Sequence, residues 1–293
     1  MGNPTSVWPI GATLGEGPVW VERDDALWFT DIKQRKIHRF DPASGGRRTW
    51  SAPSEVGFLL PAGSGGFVAG LENGLYHFDE RTGAFSLIAE VEPELPGNRL
   101  NDGVTDPFGR LWFGTMDNGE TSASGSFYRF EGGRVIPTGL RGIAITNGPA
   151  LSPDGRILYW VDTLANTIGA CHVASDGTLG PSREFLRLDP SSGHIDGPSV
   201  DSEGCLWIGL FGGWEARRYS PGGELVRSVR FPTANITKVV FGGRDRRTGY
   251  ATTARHLLRP EQLESQPEAG DLFEFAAQVP GIPCTPVALE PAA

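Results

Sequence analysis

The stretch Ile145-Thr146-Asn147-Gly148-Pro149-Ala150-Leu151-Ser152-Pro153-Asp154-Gly155-Arg156-Ile157-Leu158-Tyr159-Trp160-Val161-Asp162-Thr163 sets the pattern for the chain. A polar side chain, Asn147, precedes Gly148-Pro149 and a short apolar run. Asp154-Gly155 marks a tight turn, because glycine tolerates the positive φ that hairpin turns demand. Ile157-Leu158-Tyr159-Trp160-Val161 is rich in β-branched and aromatic residues and reads as a second strand. It ends at Asp162, and after the turn at 164–166 a third strand starts near Ile168. The pattern predicts a meander of short antiparallel strands.

Five other segments repeat it. Gly17-Pro18-Val19-Trp20 leads through Asp24-Asp25 to Leu27-Trp28-Phe29-Thr30-Asp31, and Gly57-Phe58-Leu59-Leu60 leads to Phe67-Val68-Ala69-Gly70. Asp102-Gly103-Val104-Thr105 leads through Phe108-Gly109 to Leu111-Trp112-Phe113-Gly114. Asp196-Gly197-Pro198 leads through Glu203-Gly204 to Cys205-Leu206-Trp207, and Thr237-Lys238-Val239-Val240-Phe241 leads to Tyr250-Ala251-Thr252-Thr253. From Gly17 through Gly57, Gly103, Gly148 and Gly197 to Lys238 the steps are 40, 46, 45, 49 and 41 residues. Repeats of this length are a signature of propellers, whose short sheets need neighbours to cover their faces. The expected fold is all-β: a six-bladed β-propeller with four antiparallel strands per blade, as one domain over residues 1–293. Residues 6–10 are expected to add an outer strand to the last blade and close the ring. Residues 257–269, with two prolines and several charges, read as a loop.

Composition agrees with a turn-rich globular protein: 41 Gly and 23 Pro without collagen periodicity, interspersed with eight Trp and sixteen Phe. A net charge of −9 argues against nucleic acid or an anionic membrane as partner. Cys171, Cys205 and Cys284 are odd in number, far apart and in no metal-type spacing, which points to a reducing compartment. The first residues lack the basic and apolar segments of a signal peptide, and no apolar run is long enough for a membrane span. The expected location is the cytoplasm.

In a propeller the first strand of each blade lines the central channel, so equivalent positions converge on the axis. At those positions stand Glu16, Asn101, Asn147 and Asp196, with Arg99 just before the third. Oxygen-bearing side chains converging in this way suit a hard cation. Each one beside a Gly is also an ordinary turn former, so spacing alone leaves both readings open. His194 is a candidate to touch a substrate, and Trp214, after Gly212-Gly213, could pack or face the channel mouth. Trp20, Trp28, Trp112, Trp160 and Trp207 read as blade packing. Asp31, Asp162 and Asp201 read as turn or inter-blade hydrogen-bonding residues, and His38, His77 and His172 as structural.

The runs Leu14-Gly15-Glu16-Gly17-Pro18, Arg99-Leu100-Asn101-Asp102-Gly103, Gly114-Thr115-Met116, Ile145-Thr146-Asn147-Gly148 and Asp196-Gly197-Pro198 resemble the gluconolactonase, regucalcin and senescence marker protein family. The likeness covers nearly the whole chain, and Asp31-Ile32-Lys33-Gln34-Arg35-Lys36-Ile37-His38 together with Thr252-Thr253-Ala254-Arg255 looks most like its bacterial pentonolactonases, xylonolactonase in particular. The resemblance implies hydrolysis of a sugar lactone, a small-molecule partner, with one divalent cation at the channel mouth. Calcium, zinc, manganese and iron(II) all occur in the family. It implies that Glu16, Asn147 and Asp196 hold the cation and that Arg99 and Asn101 hold the lactone's oxygens. Glu120 corresponds to the family's sugar-binding glutamate after Gly-Thr-Met, offset by about one residue. On this reading Asp196 is also the candidate general base. The alternatives are a non-catalytic metal- and ligand-binding propeller of the calcium-handling type, and a protein-interaction propeller, whose Gly-His and Trp-Asp repeat signatures the blades lack.

Overall fold

The computed structural model describes residues 3–289; the ends of the expected 1–293 domain, residues 1–2 and 290–293, lie outside the described residues. The strands form six four-stranded antiparallel sheets. Their innermost strands are Gly15–Val21, Val56–Pro61, Asn98–Thr105, Thr146–Leu151, His194–Val200 and Ile236–Gly242. Each touches the next, and the first touches the sixth, so the sheets close into a six-bladed β-propeller. The third blade begins at Asn98, a few residues before the repeat phase at Gly103, which brings Arg99 into the channel-lining strand.

The closing strand is Thr5–Trp8, which pairs antiparallel with Leu272–Ala276 and completes the sixth sheet. Apolar side chains between sheets supply the core. Trp28, Trp112 and Trp207 are fully buried, and each donates its indole N–H to an aspartate in the preceding turn: Asp24, Asp106 and Asp201. A buried indole needs such an acceptor. Trp20 stacks on Tyr250, with ring centroids 6.0 Å apart, and so joins the first blade to the sixth.

Residues 257–269 depart from the expected loop, because Pro260–Ser265 is a short α-helix. Pro260 suits the first helical turn, where its missing N–H costs nothing, and the Gln262 side chain accepts the Arg259 N–H. Gln266, at the end of this helix, accepts from the Ala234 N–H and the Thr233 hydroxyl and anchors the segment to the ring. At the opposite end of the channel the chain crosses the ring as a strap. Gly281 bridges Asp201, the Val287 N–H donates to the Pro61 carbonyl, and the Ala288 N–H donates to the Gly109 carbonyl. No helix among the described residues is long and apolar enough to cross a membrane.

Candidate active site at the channel mouth

The local device that builds the site is a break in strand register. Pairing between the first two strands of a blade slips after Glu16, Leu100, Asn147 and Asp196. A bulge of this kind bends its strand and re-aims a side chain. Gly17 and Gly148 take φ of 52° and 78° there, which an L side chain resists. The sequence signal of a polar residue before Gly is thus the signature of a bulge.

Glu16, Arg99, Asn101, Glu120, Asn147 and Asp196 all line one cavity of about 160 Å³ at this mouth. The structure therefore brings all six expected residues together. His194 joins them, its Nδ1 3.4 Å from the Thr163 carbonyl. Trp214 is not among the lining residues; it lies under the Arg230 guanidinium, 5.9 Å from the ring centroid.

Glu16 and Asp196 are both buried. Each commits one carboxylate oxygen to the N–H of the following glycine, at 3.0 and 2.9 Å. The second oxygen of each has no hydrogen-bond partner among the described residues. Burial, with the Asp102 charge added, pushes Glu16 up to about 7. Burial and the neighbouring Glu16 push Asp196 well above the ordinary carboxylate range. The Asn147 amide is oriented by its Nδ2 donating to Thr163 Oγ1 at 2.9 Å, and its Oδ1 faces Asn101 Nδ2 at 3.3 Å. The donor set is then two under-used carboxylates and one fixed amide oxygen, which fits a hard divalent cation. No group of three or more His, Cys, Asp or Glu side chains is arranged to hold an ion among the described residues; the third oxygen here belongs to an amide.

Arg99 is buried, and loss of water lowers its proton affinity. Its Nε donates to Asn118 Oδ1 at 2.9 Å and its Nη1 to Asn101 Oδ1 at 2.6 Å. Lys33 Nζ reaches the same Asn118 oxygen at 3.0 Å and Glu55 at 3.1 Å. Glu120 sits in a loop with φ of 57°, held by the Asp117 carboxylate accepting from Gly119, Thr121 and Ser122. The sequence reading missed this Lys33–Glu55–Asn118 support. It also missed His256, whose proton affinity is lowered by burial, and the apolar rim of Leu164, Phe211 and Leu257. None of these occupies a repeated blade position, so no periodic signal marks them.

Comparison with known proteins identifies the family. Residues 14–255 match the family described as the SMP-30/Gluconolactonase/LRE-like region. The chain is 37% identical over 276 residues to the L-arabinolactonase of Azospirillum brasilense, covering 93% of this chain and 91% of that one. It is 34% identical over 273 residues to the 6-deoxy-6-sulfogluconolactonase of Pseudomonas putida, covering 92% and 93%. Among solved structures it is similar to the calcium-binding protein regucalcin of Agrobacterium tumefaciens, at a TM-score of 0.93 and 30% identity over 98% and 97% of the two chains. The chain belongs to the SMP-30/gluconolactonase family.

Proposed function

We propose that this protein is a hydrolase that opens a sugar lactone, an aldonolactone such as xylono- or gluconolactone, to the aldonic acid, with one divalent cation held by Glu16, Asn147 and Asp196. The observation that carries the reading is the pair of buried carboxylates, each with one oxygen free of hydrogen bonds, facing the same cavity as a buried arginine. Two lactonases among the relatives support the reaction class. The whole chain acts as a single domain on this reading, since the site draws on blades one, three, four and five.

Glu16, Asn147 and Asp196 would hold the cation, which would supply polarisation of the lactone carbonyl and stabilisation of the charge that develops on its oxygen. Arg99 and Asn101 orient the lactone's oxygens, Arg99 as a fixed fork and Asn101 as donor and acceptor. Glu120 accepts from a sugar hydroxyl. Asp196 is the candidate to take a proton from the attacking water. The water oxygen bonds to the carbonyl carbon, the ring C–O bond breaks, and the ring oxygen leaves as a hydroxyl by taking up the proton held on Asp196, which returns to its carboxylate form. Ligation by a cation would lower the proton affinity of Asp196 and moderate its strength as a base.

The test is proton release in weak buffer from metal-stripped protein, with xylono-, arabinono- and gluconolactone and calcium, zinc, manganese or iron(II) restored under anaerobic conditions. Turnover above the spontaneous rate with at least one cation is expected. The calcium-binding description of the Agrobacterium neighbour favours a second reading, a non-catalytic cation-binding propeller. Cation binding without turnover on any lactone would establish that one instead.

A further inference from the structure

Beneath the candidate ligands an ion pair crosses the channel. Asp102 lies on the innermost strand of the third blade and Lys238 on that of the sixth, three steps apart either way round the ring, so the two face each other across the axis. Lys238 Nζ lies 2.7 Å from both Asp102 oxygens, and both side chains are buried. The same carboxylate accepts the Gly148 N–H at 3.0 Å, the amide that follows Asn147. On the far side, Gly197, which follows Asp196, packs so tightly on Lys238 that a Cβ there would come within 2.5 Å of Lys238 Cβ. One pair is therefore tied to the backbone beside two of the three proposed ligands. Below it lies a separate, mainly apolar cavity of about 150 Å³, lined in part by Lys238 and by the strap residues Ile282, Pro283 and Cys284.

We infer that Asp102 and Lys238 form an axial strut that positions Asn147 and Asp196 and floors the catalytic compartment. The inference rests on the cation-dependent lactonase reading. The contact ties the third and sixth blades directly, in addition to the contacts between adjacent blades. Asp102 sets the Gly148 amide and with it the direction of the Asn147 side chain. Lys238 holds Asp102 in place and keeps its charge compensated, so that Asp102 does not join the cation as an additional carboxylate. Neither residue touches the reacting atoms; both are positioning residues.

The strut is removed without leaving a buried charge in the double variant Asp102→Leu with Lys238→Met, since apolar replacement of a buried ion pair is often neutral or stabilising. Three readouts are taken on full-length protein: thermal unfolding, manganese or calcium affinity by calorimetric titration, and kcat against KM for the best lactone. The expected result is a folded protein whose cation affinity weakens at least tenfold and whose kcat falls ~100-fold, the scale of a small misplacement at a reacting centre, with KM changed less. The pair Asp102→Asn with Lys238→Gln, which keeps an acceptor for Gly148 and a donor across the axis, is expected to recover most of the kcat. Cation affinity and kcat within twofold of wild type in the folded apolar double variant would overturn the strut. Should that variant fail to fold, Lys238→Gln alone is read by the same measurements: a tenfold loss of kcat is expected, and an unchanged kcat overturns the inference. Failure of wild-type protein to hydrolyse any lactone would instead overturn the reading beneath it.

Discussion

Two sets of buried carboxylates at opposite ends of the channel-lining strands behave differently. Asp106 and Asp201, in the turns after the innermost strands, are saturated: each accepts an indole N–H and an arginine Nε, from Trp112 and Arg110 or from Trp207 and Arg218. Glu16 and Asp196 are buried too but hold only one N–H each. Burial is common to both sets, so it does not mark the site. Spare acceptor capacity does: a saturated carboxylate is cement, and an under-used one is waiting for a proton or a cation.

The largest expected effect breaks the comparison at its functional end. Asp196→Ala should lower kcat by a factor of ~1,000, within the range for losing a general base, and should weaken cation binding while the melting temperature holds or rises. A steady-state assay beside calorimetry decides this, and wild-type turnover in the variant would remove Asp196 from the mechanism. At the structural end, Asp201→Ala leaves the Trp207 indole N–H without its acceptor and Arg218 with Glu203 alone, and should cost about 1–3 kcal/mol in denaturant unfolding, with kcat per folded molecule unchanged.

A third prediction sharpens the contrast through pH. Because burial holds Glu16 at about 7 against an ordinary 4.5, the metal-free folded state carries an extra proton between those values. Its contribution to stability is therefore greatest below about 4.5 and is lost as pH rises through 7. Glu16→Gln removes the penalty, so in chelator at pH 8 it should be more stable than wild type, a difference that vanishes near pH 4.5. Added cation should reverse the order at pH 8, since wild type, with both carboxylates, gains more from it. Parallel unfolding curves at the two pH values would refute the raised affinity. The smallest effect is expected at Arg99→Lys, which keeps the charge and loses the fork: kcat/KM should fall by ~10–100-fold, mostly through KM.

Much of this was legible in the sequence because a propeller writes its architecture periodically. The polar-Gly phase located the bulges, and with them Glu16, Asn101, Asn147 and Asp196. What the period does not carry was not legible. Asp102 reads as one more turn-former until Lys238, 136 residues away, is brought across the axis. His256 and the Lys33–Glu55–Asn118 support stand between repeats, where only the folded ring assigns neighbours. The helix at Pro260–Ser265 was misjudged for another reason: a proline that ends helices elsewhere begins this one.

The sixth sheet is stitched from both extremes of the described chain, Thr5–Trp8 lying against Leu272–Ala276. That seam has a temporal consequence. During synthesis, blades one to five can collapse in turn as they emerge, but the circle stays open until the strand at 272–276 is available to meet residues waiting since the start. Contacts of such sequence separation form slowly. The mouth, whose expected ligands come from blades one, four and five, would then acquire its final shape only in the last stage of biogenesis, and a cation would act as a late fastener on a ring already drawn together.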